Sequence, residues 1–412
     1  MSDSSATQTV VVVGAGQAGG EVAIELRKLG HTGRALILGE EPYIPYKRPP
    51  LSKAYLAGSV GEDSLYLMQR PNLDKAGIEF MGDARVERID RAGKKVQLAD
   101  GRSFAYDKLA LATGGRARAL NLPGANRPNV FLLRTIADVQ GIHAYRKPGA
   151  RVVIVGGGFI GLEAAAVLVK LGLKVTVLEG LPRVLARVTA PEVSAFFERA
   201  HREAGVDLRT GAQVTALEGE PQVTHVVLGD GSRIETDFIV VGVGIVPNTE
   251  LAQEAGLAVD NGIIVDEYTR TSDPDIVAAG DCTNHPSDFA GRRVRLESVQ
   301  NAMEQGRAAA HTLFGKTDPY RAVPWFWSDQ YDLKLQMVGL STGFDQFVLR
   351  GDPAKRAFAA FYLKEGHLIA VDTVSRPQDF MLAKKLVASR TALDPASLAD
   401  EAVPLKSLLP AA

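Results

Sequence analysis

The sequence predicts an α/β protein that contains two dinucleotide-binding βαβ units and a small C-terminal α+β domain. Two glycine-rich turns, each between an apolar strand and an amphipathic helix, predict the βαβ units. The length of 412 residues exceeds that of one ordinary hydrophobic core and agrees with two or three domains. After Pro324 the sequence becomes aromatic and alternating, which indicates short antiparallel strands followed by a helix over 377–389.

The first βαβ unit begins with an apolar strand over 9–13, and its helix runs to Leu29. In the turn, Gly14 permits a tight bend, Gly16 lets a diphosphate approach the backbone, and Gly19 lets helix and strand pack closely. The N-terminus of the helix offers unpaired N–H groups and a partial positive charge to phosphates. The next strand, 35–38, is followed by an acid at Glu40.

The second unit repeats this order, with a strand over 151–155 and the glycines Gly156, Gly158 and Gly161. Glu179 follows its next strand, at the place where an acid accepts hydrogen bonds from ribose hydroxyls. Since a carboxylate repels a 2'-phosphate, Glu179 favours NAD over NADP. Arg183 and Arg187 lie nearby, and the sequence leaves open whether they contact a diphosphate or belong to a solvated loop.

Two short strands that end in small residues, 109–114 and 239–244, mark the crossovers between domains. There the backbone passes close to a nucleotide, which makes Ala112 and Gly244 candidate contacts. The predicted division is therefore a discontinuous first nucleotide domain, a second one inserted into it, and a C-terminal domain. Their ranges are 1–111 with 244–320, 112–243, and 321–412.

Composition excludes several classes of function. The net charge of -1 is unlike the strong basic excess of nucleic-acid-binding proteins. No apolar run reaches the length of a membrane span, and the first eight residues lack the order of a secretion signal, so we expect a cytoplasmic protein. The single cysteine, Cys282, excludes an internal disulfide and a thiolate-rich metal cluster, and the seven histidines are scattered, so we expect no metal site.

Several strings resemble the ferredoxin reductases of bacterial haem-thiolate monooxygenase systems and of aromatic dioxygenases, over nearly the whole length. The resemblance implies membership of the FAD-dependent pyridine nucleotide-disulfide oxidoreductase superfamily, with two Rossmann-like domains in a glutathione-reductase-like fold. The strings that carry it are Arg48-Pro49-Pro50-Leu51-Ser52-Lys53, 112–115, 156–163, 271–281, 297–299 and Pro324-Trp325-Phe326-Trp327-Ser328-Asp329-Gln330-Tyr331.

The resemblance implies roles for individual residues. Asp281 is expected to bind the FAD ribityl chain, Lys53 to lie near the reactive flavin nitrogen, and Trp327 to cover part of the ring, although Trp327 can equally be core. Lys53, Glu163 and Trp327 are the expected catalytic residues. The expected FAD contacts are Gly14, Gly16, Ala18, Glu40, Arg48, Lys53, Val86, Ala112, Arg134, Asp281, Val299 and Trp327. The expected NAD contacts are Gly156, Gly158, Ile160, Glu163, Glu179, Arg187 and Gly244.

The implied activity is hydride transfer from NADH to FAD, followed by single-electron transfer to a 2Fe-2S ferredoxin that feeds a monooxygenase. Disulfide reductases of this fold carry redox cysteines in the first domain, whereas residues 43–50 here contain no sulfur, so electrons must leave the flavin directly. Cys282 is then a packing residue. Arg307, Arg292 and Lys406 are candidates for docking an acidic ferredoxin, with plain solvated charges as the alternative. An NADH oxidase or quinone reductase, and a redox-sensing protein like apoptosis-inducing factor, remain alternatives.

Overall fold

The computed structural model describes residues 6–410. Its α-helices are α1 (Gln17–Lys28), α2 (Ala54–Ala57), α3 (Arg70–Lys75), α4 (Ile136–His143), α5 (Phe159–Lys170), α6 (Pro191–Glu203), α7 (Glu250–Glu254), α8 (Val299–Leu313), α9 (Pro377–Ser389) and α10 (Pro395–Ala399). Short 3₁₀ turns lie at Pro49–Ser52, Glu62–Ser64, Pro353–Lys355 and Leu405–Leu408.

The strands follow in chain order. They are β1 (Val10–Val13), β2 (Ala35–Leu38), β3 (Ile78–Met81), β4 (Val86–Asp90), β5 (Lys95–Leu98), β6 (Ser103–Ala105), β7 (Lys108–Leu111), β8 (Gly115–Ala117), β9 (Val130–Leu132), β10 (Arg151–Val155), β11 (Lys174–Glu179), β12 (Asp207–Thr210), β13 (Val214–Glu218), β14 (His225–Leu228), β15 (Arg233–Glu235), β16 (Phe238–Val241), β17 (Ile245–Pro247), β18 (Ile263–Ile264), β19 (Ile276–Ala278), β20 (Thr283–Ser287), β21 (Arg292–Val294), β22 (Trp325–Gln330), β23 (Leu333–Gly339), β24 (Gln346–Asp352), β25 (Ala357–Lys364) and β26 (His367–Val374).

The chain forms two compact units. The first contains the described residues up to Arg48, together with Glu62–Arg116 and Val246–Pro324. Its centre is a parallel sheet in the order β19-β7-β1-β2-β3, and β1 is buried on both faces. Burial on both faces explains why β1 is a continuous run of valines. On one face α1 packs against α8 so closely that a Cβ added at Gly306 would lie 2.9 Å from the backbone oxygen of Ala18.

The second unit contains Pro49–Gly61, Ala117–Ile245 and the described residues from Trp325 onward. Its parallel sheet has the order β12-β11-β10-β16-β9, and helix α5 connects β10 to β11. This arrangement repeats that of β1, α1 and β2 in the first unit, as the repeated glycine motif predicts.

An antiparallel flap, β13-β14-β15, accompanies this sheet. Its middle strand, β14, begins at His225. The side-chain amide of Asn129 binds both the N–H and the carbonyl of Val223, and thereby occupies the groups that a ladder would use.

The second unit also contains the C-terminal antiparallel sheet, in the order β22-β23-β26-β25-β24. The aromatic string after Pro324 forms its edge strand β22, which pairs with β23 along its whole length. The predicted helix over 377–389 is confirmed as α9. The three domain ranges given above stay a prediction.

Candidate functional site

The first glycine turn has the geometry of a phosphate-binding loop. Gly14 has φ +111°, and a Cβ there would lie 2.2 Å from the carbonyl oxygen of Ala112, so this position requires glycine. A Cβ at Gly19 would lie 2.0 Å from the oxygen of Gly14, whereas one at Gly16 would meet nothing within 4 Å. Gly16 therefore leaves open space at the N-terminus of α1, where no side chain caps the helix. This space and the uncapped N–H groups suit a diphosphate.

Two acids follow β2, and the structure separates their roles. Glu41 accepts hydrogen bonds from the Tyr46 hydroxyl at 2.7 Å and from Arg48 at 2.8 Å. Glu40 is exposed and forms a 3.3 Å ion pair with Arg85. Glu40 is thus the acid of this pair that remains accessible to a ribose.

Arg48 is half-buried, with its guanidinium 5.0 Å from the centre of the Tyr46 ring. Burial alone would lower the pKa of Arg48, but electrostatic interactions with Tyr46, Glu41 and Asp281 together raise it. Arg48 and Asp281 therefore interact within the first unit, as is expected if both contribute to one nucleotide site.

Asp281 lies in a turn that Gln305 of α8 holds from both sides. The side-chain oxygen of Gln305 accepts hydrogen bonds from the Gly280 N–H and from the Thr283 hydroxyl, each at 2.8 Å. The other side-chain atom of Gln305, Nε2, is buried without a hydrogen-bond partner. A buried donor without a partner, on the side chain that holds the Asp281 turn, fits a site that receives a polar ligand. Sequence reasoning missed Gln305, because a glutamine within a helix carries no signal of this role.

Cys282, next to Asp281, is fully buried, and burial raises the pKa of its thiol. Its Sγ lies 3.4 Å from the carbonyl oxygen of Ala279. A buried thiol of raised pKa is a poor nucleophile, which agrees with the expected packing role.

The second glycine turn repeats the first. Gly156 has φ +112° and would place a Cβ 2.5 Å from the oxygen of Gly242, whereas a Cβ at Gly158 would meet nothing within 4 Å. Glu179 accepts hydrogen bonds from the N–H groups of Gly157 at 2.6 Å and Leu181 at 2.8 Å. Its carboxylate is therefore fixed against the loop in which a second dinucleotide is expected.

The two arginines after Glu179 differ. Arg183 donates to the carbonyl oxygens of Thr189 and Ala186 and to the hydroxyl of Ser194, so it holds its own loop together. Arg187 is exposed. Of the two, Arg187 is the more accessible to a ligand.

A buried charge pair lies in the second unit. Lys53 Nζ is 2.6 Å from Glu163 Oε2, and Glu163 is 2% exposed. Ser52 donates to the same oxygen at 2.5 Å, and Ser328 donates to Oε1 at 2.7 Å. The carboxylate thus has three partners, which a buried charge requires. The structure brings Lys53 and Glu163 together; Ser52 and Ser328 belong to motif strings, but their contact with Glu163 was not predicted.

The remaining expected residues are distributed over both units. Val86 begins β4 and Val299 begins α8 in the first unit, whereas Arg134 lies in the second, where its N–H binds Asp138 at 3.1 Å. Trp327 is half-buried on β22, with its ring centre 5.7 Å from that of Trp325. Three further positions were also expected: Ala18 is buried in α1, Ile160 is 41% exposed in the first turn of α5, and Gly244 has φ +99°.

Residues 8–306 match the family model described as pyridine nucleotide-disulphide oxidoreductase. The chain belongs to this family. Residues 325–409 match a second model, described as reductase C-terminal. The predicted membership and fold class are confirmed.

Two relatives match along almost their entire length. Putidaredoxin reductase of Pseudomonas putida is 47% identical, covering 99% of this chain and 98% of the relative. The 5,5'-dehydrodivanillate O-demethylase ferredoxin reductase subunit of a Sphingobium strain is 49% identical, with 97% of each chain covered.

Solved structures agree with these relatives. The reductase in a covalent putidaredoxin reductase–putidaredoxin complex has a TM-score of 0.95 at 46% identity, covering 97% of this chain and 98% of that one. A ferredoxin reductase for the CYP199A2 system of Rhodopseudomonas palustris has a TM-score of 0.94 at 44% identity, covering 97% and 99%.

Within residues 6–410, no group of three or more His, Cys, Asp or Glu side chains is arranged to hold a metal ion. Over the same residues, no helix has both the length and the apolar character that crossing a membrane requires.

Proposed function

We propose that the protein is an NADH:ferredoxin oxidoreductase that uses FAD. The observation that carries the proposal is the pair of glycine loops, each open at its second glycine and followed by an acid, in a chain without a redox cysteine pair. The names of the full-length relatives support a ferredoxin as the acceptor. Bound FAD supplies the step between a two-electron donor and a one-electron acceptor.

The first unit holds FAD in this proposal. Gly14 and Gly16 receive the diphosphate with Ala18 and Ala112 beside it, Glu40 binds the adenosine ribose, and Asp281 binds the ribityl chain. Asp281 is positioned by Gln305 through the two hydrogen bonds that flank it. The other proposed FAD contacts, carried over from the family resemblance, are Arg48, Lys53, Val86, Arg134, Val299 and Trp327.

The second unit holds NADH. Gly156 and Gly158 receive its diphosphate, and the fixed carboxylate of Glu179 binds its adenosine ribose and disfavours a 2'-phosphate. Exposed Arg187 contacts the diphosphate. Ile160, Glu163 and Gly244 lie beside the nicotinamide in this proposal.

Lys53 supplies positive charge to the flavin in this proposal. Its ammonium is fixed by the 2.6 Å contact with Glu163, which is itself fixed by two hydroxyls. A cation already held in place would stabilise negative charge on a bound, reduced flavin without any reorganisation. No general base is required.

Basic side chains guide an acidic 2Fe-2S ferredoxin to the protein. Arg307 is 44% exposed despite a 3.3 Å ion pair with Glu21, and Arg292 is also exposed. Lys406 is exposed on a C-terminal segment that is anchored by Arg350, whose guanidinium donates to the carbonyl oxygens of Leu398, Asp400 and Val403. Because NADH is a cytoplasmic reductant, a cytoplasmic location is part of the proposal.

The test is reduction of cytochrome c by NADH, with and without a 2Fe-2S ferredoxin. We expect a yellow protein that NADH bleaches without oxygen, and cytochrome c reduction that requires ferredoxin and weakens with added salt. A colourless folded protein would refute the FAD site. Fast NADH oxidation that ignores ferredoxin would favour an oxidase or quinone reductase. Slow reduction with a long-lived charge-transfer species would favour a redox sensor like apoptosis-inducing factor.

A further inference from the structure

A continuous run of side-chain hydrogen bonds connects Glu163 to helix α6. Ser328 Oγ lies 2.7 Å from Glu163 Oε1, and Gln330 Nε2 lies 3.2 Å from Ser328 Oγ. His201 Nε2 is 2.9 Å from Gln330 Oε1, and the Tyr331 hydroxyl is 2.9 Å from His201 Nδ1. Apart from Tyr331, these side chains are almost fully buried. Solvent therefore does not substitute for any of the inner bonds.

The charge on Glu163 sets the direction of every bond in this run. A carboxylate only accepts, so the single hydroxyl proton of Ser328 points to Glu163, and Ser328 must accept from the amide N–H of Gln330. That orientation presents the amide oxygen of Gln330 to His201, which must donate from Nε2. A neutral imidazole then accepts at Nδ1 from the Tyr331 hydroxyl.

The burial of His201 agrees with a neutral ring. Desolvation lowers the pKa of His201 to about 4, against the opposing effect of its hydrogen bond with Gln330. At pH 7 the ring therefore carries one proton, as the direction of the run requires. The opposite amide orientation would draw the Ser328 proton away from Glu163 and leave two buried acceptors facing each other.

We propose that His201, Gln330 and Tyr331 are positioning residues that orient Ser328 towards Glu163 and thereby hold Lys53 in place for hydride transfer. The inference rests on the proposed role of Lys53 and Glu163. It also accounts for three polar residues of the motif after Pro324 that the cofactor contacts leave unexplained. Ser328 and Gln330 lie on one face of β22, and Tyr331 follows in a turn at φ +60°, a conformation that is strained for tyrosine.

The decisive variant is Gln330→Glu, which keeps the side-chain volume but replaces the donor to Ser328 with an acceptor. Ser328 cannot donate to two carboxylates at once, so its bond to Glu163 is weakened. We expect the rate of flavin reduction by saturating NADH to fall at least about fivefold, with a smaller change in the NADH concentration that half-saturates the rate. Ser328→Ala removes the same bond directly and is expected to give a similar loss.

The double variant Ser328→Ala/Gln330→Glu separates positioning from general damage. If Gln330 acts through Ser328, the rate of flavin reduction in the double variant should lie within about twofold of the rate in Ser328→Ala alone. If the rate losses of the two single variants multiply in the double variant, the proposal is overturned. Gln222→Glu adds the same charge at an exposed site in the same unit and is expected to leave the rate unchanged. Thermal unfolding of each variant shows whether a lost rate reflects lost folding.

A second measurement tests the run without any turnover. In protein labelled with ¹⁵N-histidine, the His201 resonances, assigned by their loss in His201→Gln, are expected to show the neutral Nε2–H tautomer at pH 7. An Nδ1–H tautomer or a charged ring would refute the inference. If the wild type binds no flavin or is not reduced by NADH, the proposed function fails, while the tautomer still decides whether the run exists.

Discussion

Glu163 shows how a single buried carboxylate depends on residues far away in the sequence. Its partners come from the segment before α2 and from β22, 111 and 165 positions distant. Taking a carboxylate and an ammonium out of water is costly, and their attraction balances this only when the remaining lone pairs are satisfied. The hydroxyls of Ser52 and Ser328 donate hydrogen bonds to those lone pairs. The pair of Lys53 and Glu163 is therefore stable only with both serines present.

Removing one charge of this pair should therefore be worse than removing both. Lys53→Met leaves Glu163 buried without a counter-charge and is expected to lower stability by about 3 kcal/mol. The double variant Lys53→Met/Glu163→Gln should recover most of that loss in thermal unfolding. Stopped-flow reduction by NADH should stay slow in both variants, because neither supplies the cation. Equal melting temperatures for the single and double variants would contradict this account.

The proposed preference for NADH rests on a single residue, Glu179. Glu179→Ala removes the carboxylate that is proposed to repel a 2'-phosphate, so the ratio of kcat/KM for NADPH to that for NADH should rise about tenfold or more. The KM for NADH should rise as well, because the loop loses its bonds at Gly157 and Leu181.

Arg187 provides the companion test. Because Arg187 is proposed to contact the diphosphate, which both coenzymes share, Arg187→Ala in the Glu179→Ala background should raise the KM for NADPH and for NADH alike. An unchanged coenzyme ratio in Glu179→Ala would place the ribose elsewhere.

At the scale of elements, strands β25 and β26 contain a second buried acid. Asp372 accepts a 2.5 Å hydrogen bond from the Tyr362 hydroxyl, which itself accepts from the N–H of Ala190 before α6. Burial raises the pKa of Asp372 to about 7, although the bond from Tyr362 acts in the opposite direction. The folded protein therefore holds this proton where the unfolded chain, with a pKa near 3.8, has lost it.

Because the pKa of Asp372 is higher in the folded than in the unfolded state, its contribution to the free energy of unfolding declines as pH rises. Between about pH 4 and 7 the folded state binds more protons than the unfolded state, so the contribution of Asp372 is lost over that window. Asp372→Asn should be more stable than the wild type at pH 8, by a few kcal/mol at most, and close to it near pH 4. Thermal unfolding at the two pH values measures the difference. A variant that is destabilised equally at both would refute it.

The regular elements were largely predictable, because local signals define them. Glycine turns, β-branched runs and helical periodicity located β1, α1, β10, α5 and α9. The hydrogen bond between Asn129 and Val223, which lie 94 residues apart, was not predictable from local signals. The same limit applies to Gln305 and His201, whose positions become evident only when distant segments are packed together.

At the scale of the whole molecule, each unit buries a histidine that stays neutral when folded. Burial lowers the pKa of His201 in the second unit and of His285 in the first to about 4. An unfolded histidine takes up a proton near pH 6.5. The folded state is therefore disfavoured as pH falls from about 6.5 to 4, by about 3 kcal/mol for each residue.

We expect the unfolding temperature to drop through this acidic window. His201→Gln should flatten the decline, as followed by circular dichroism from pH 7 to 4. If the unfolding temperatures of His201→Gln and the wild type fall equally between pH 7 and 4, His201 does not contribute to the loss of stability in acid.

Cys282 makes the protein suitable for labelling at a single introduced thiol. Since it is the sole cysteine of the sequence and its thiol is buried, maleimide reagents should leave the folded wild type unmodified. Lys406→Cys would then carry a single accessible sulfhydryl on the anchored C-terminal segment. A fluorophore attached there would report the arrival of a partner protein without any need to engineer away a competing thiol.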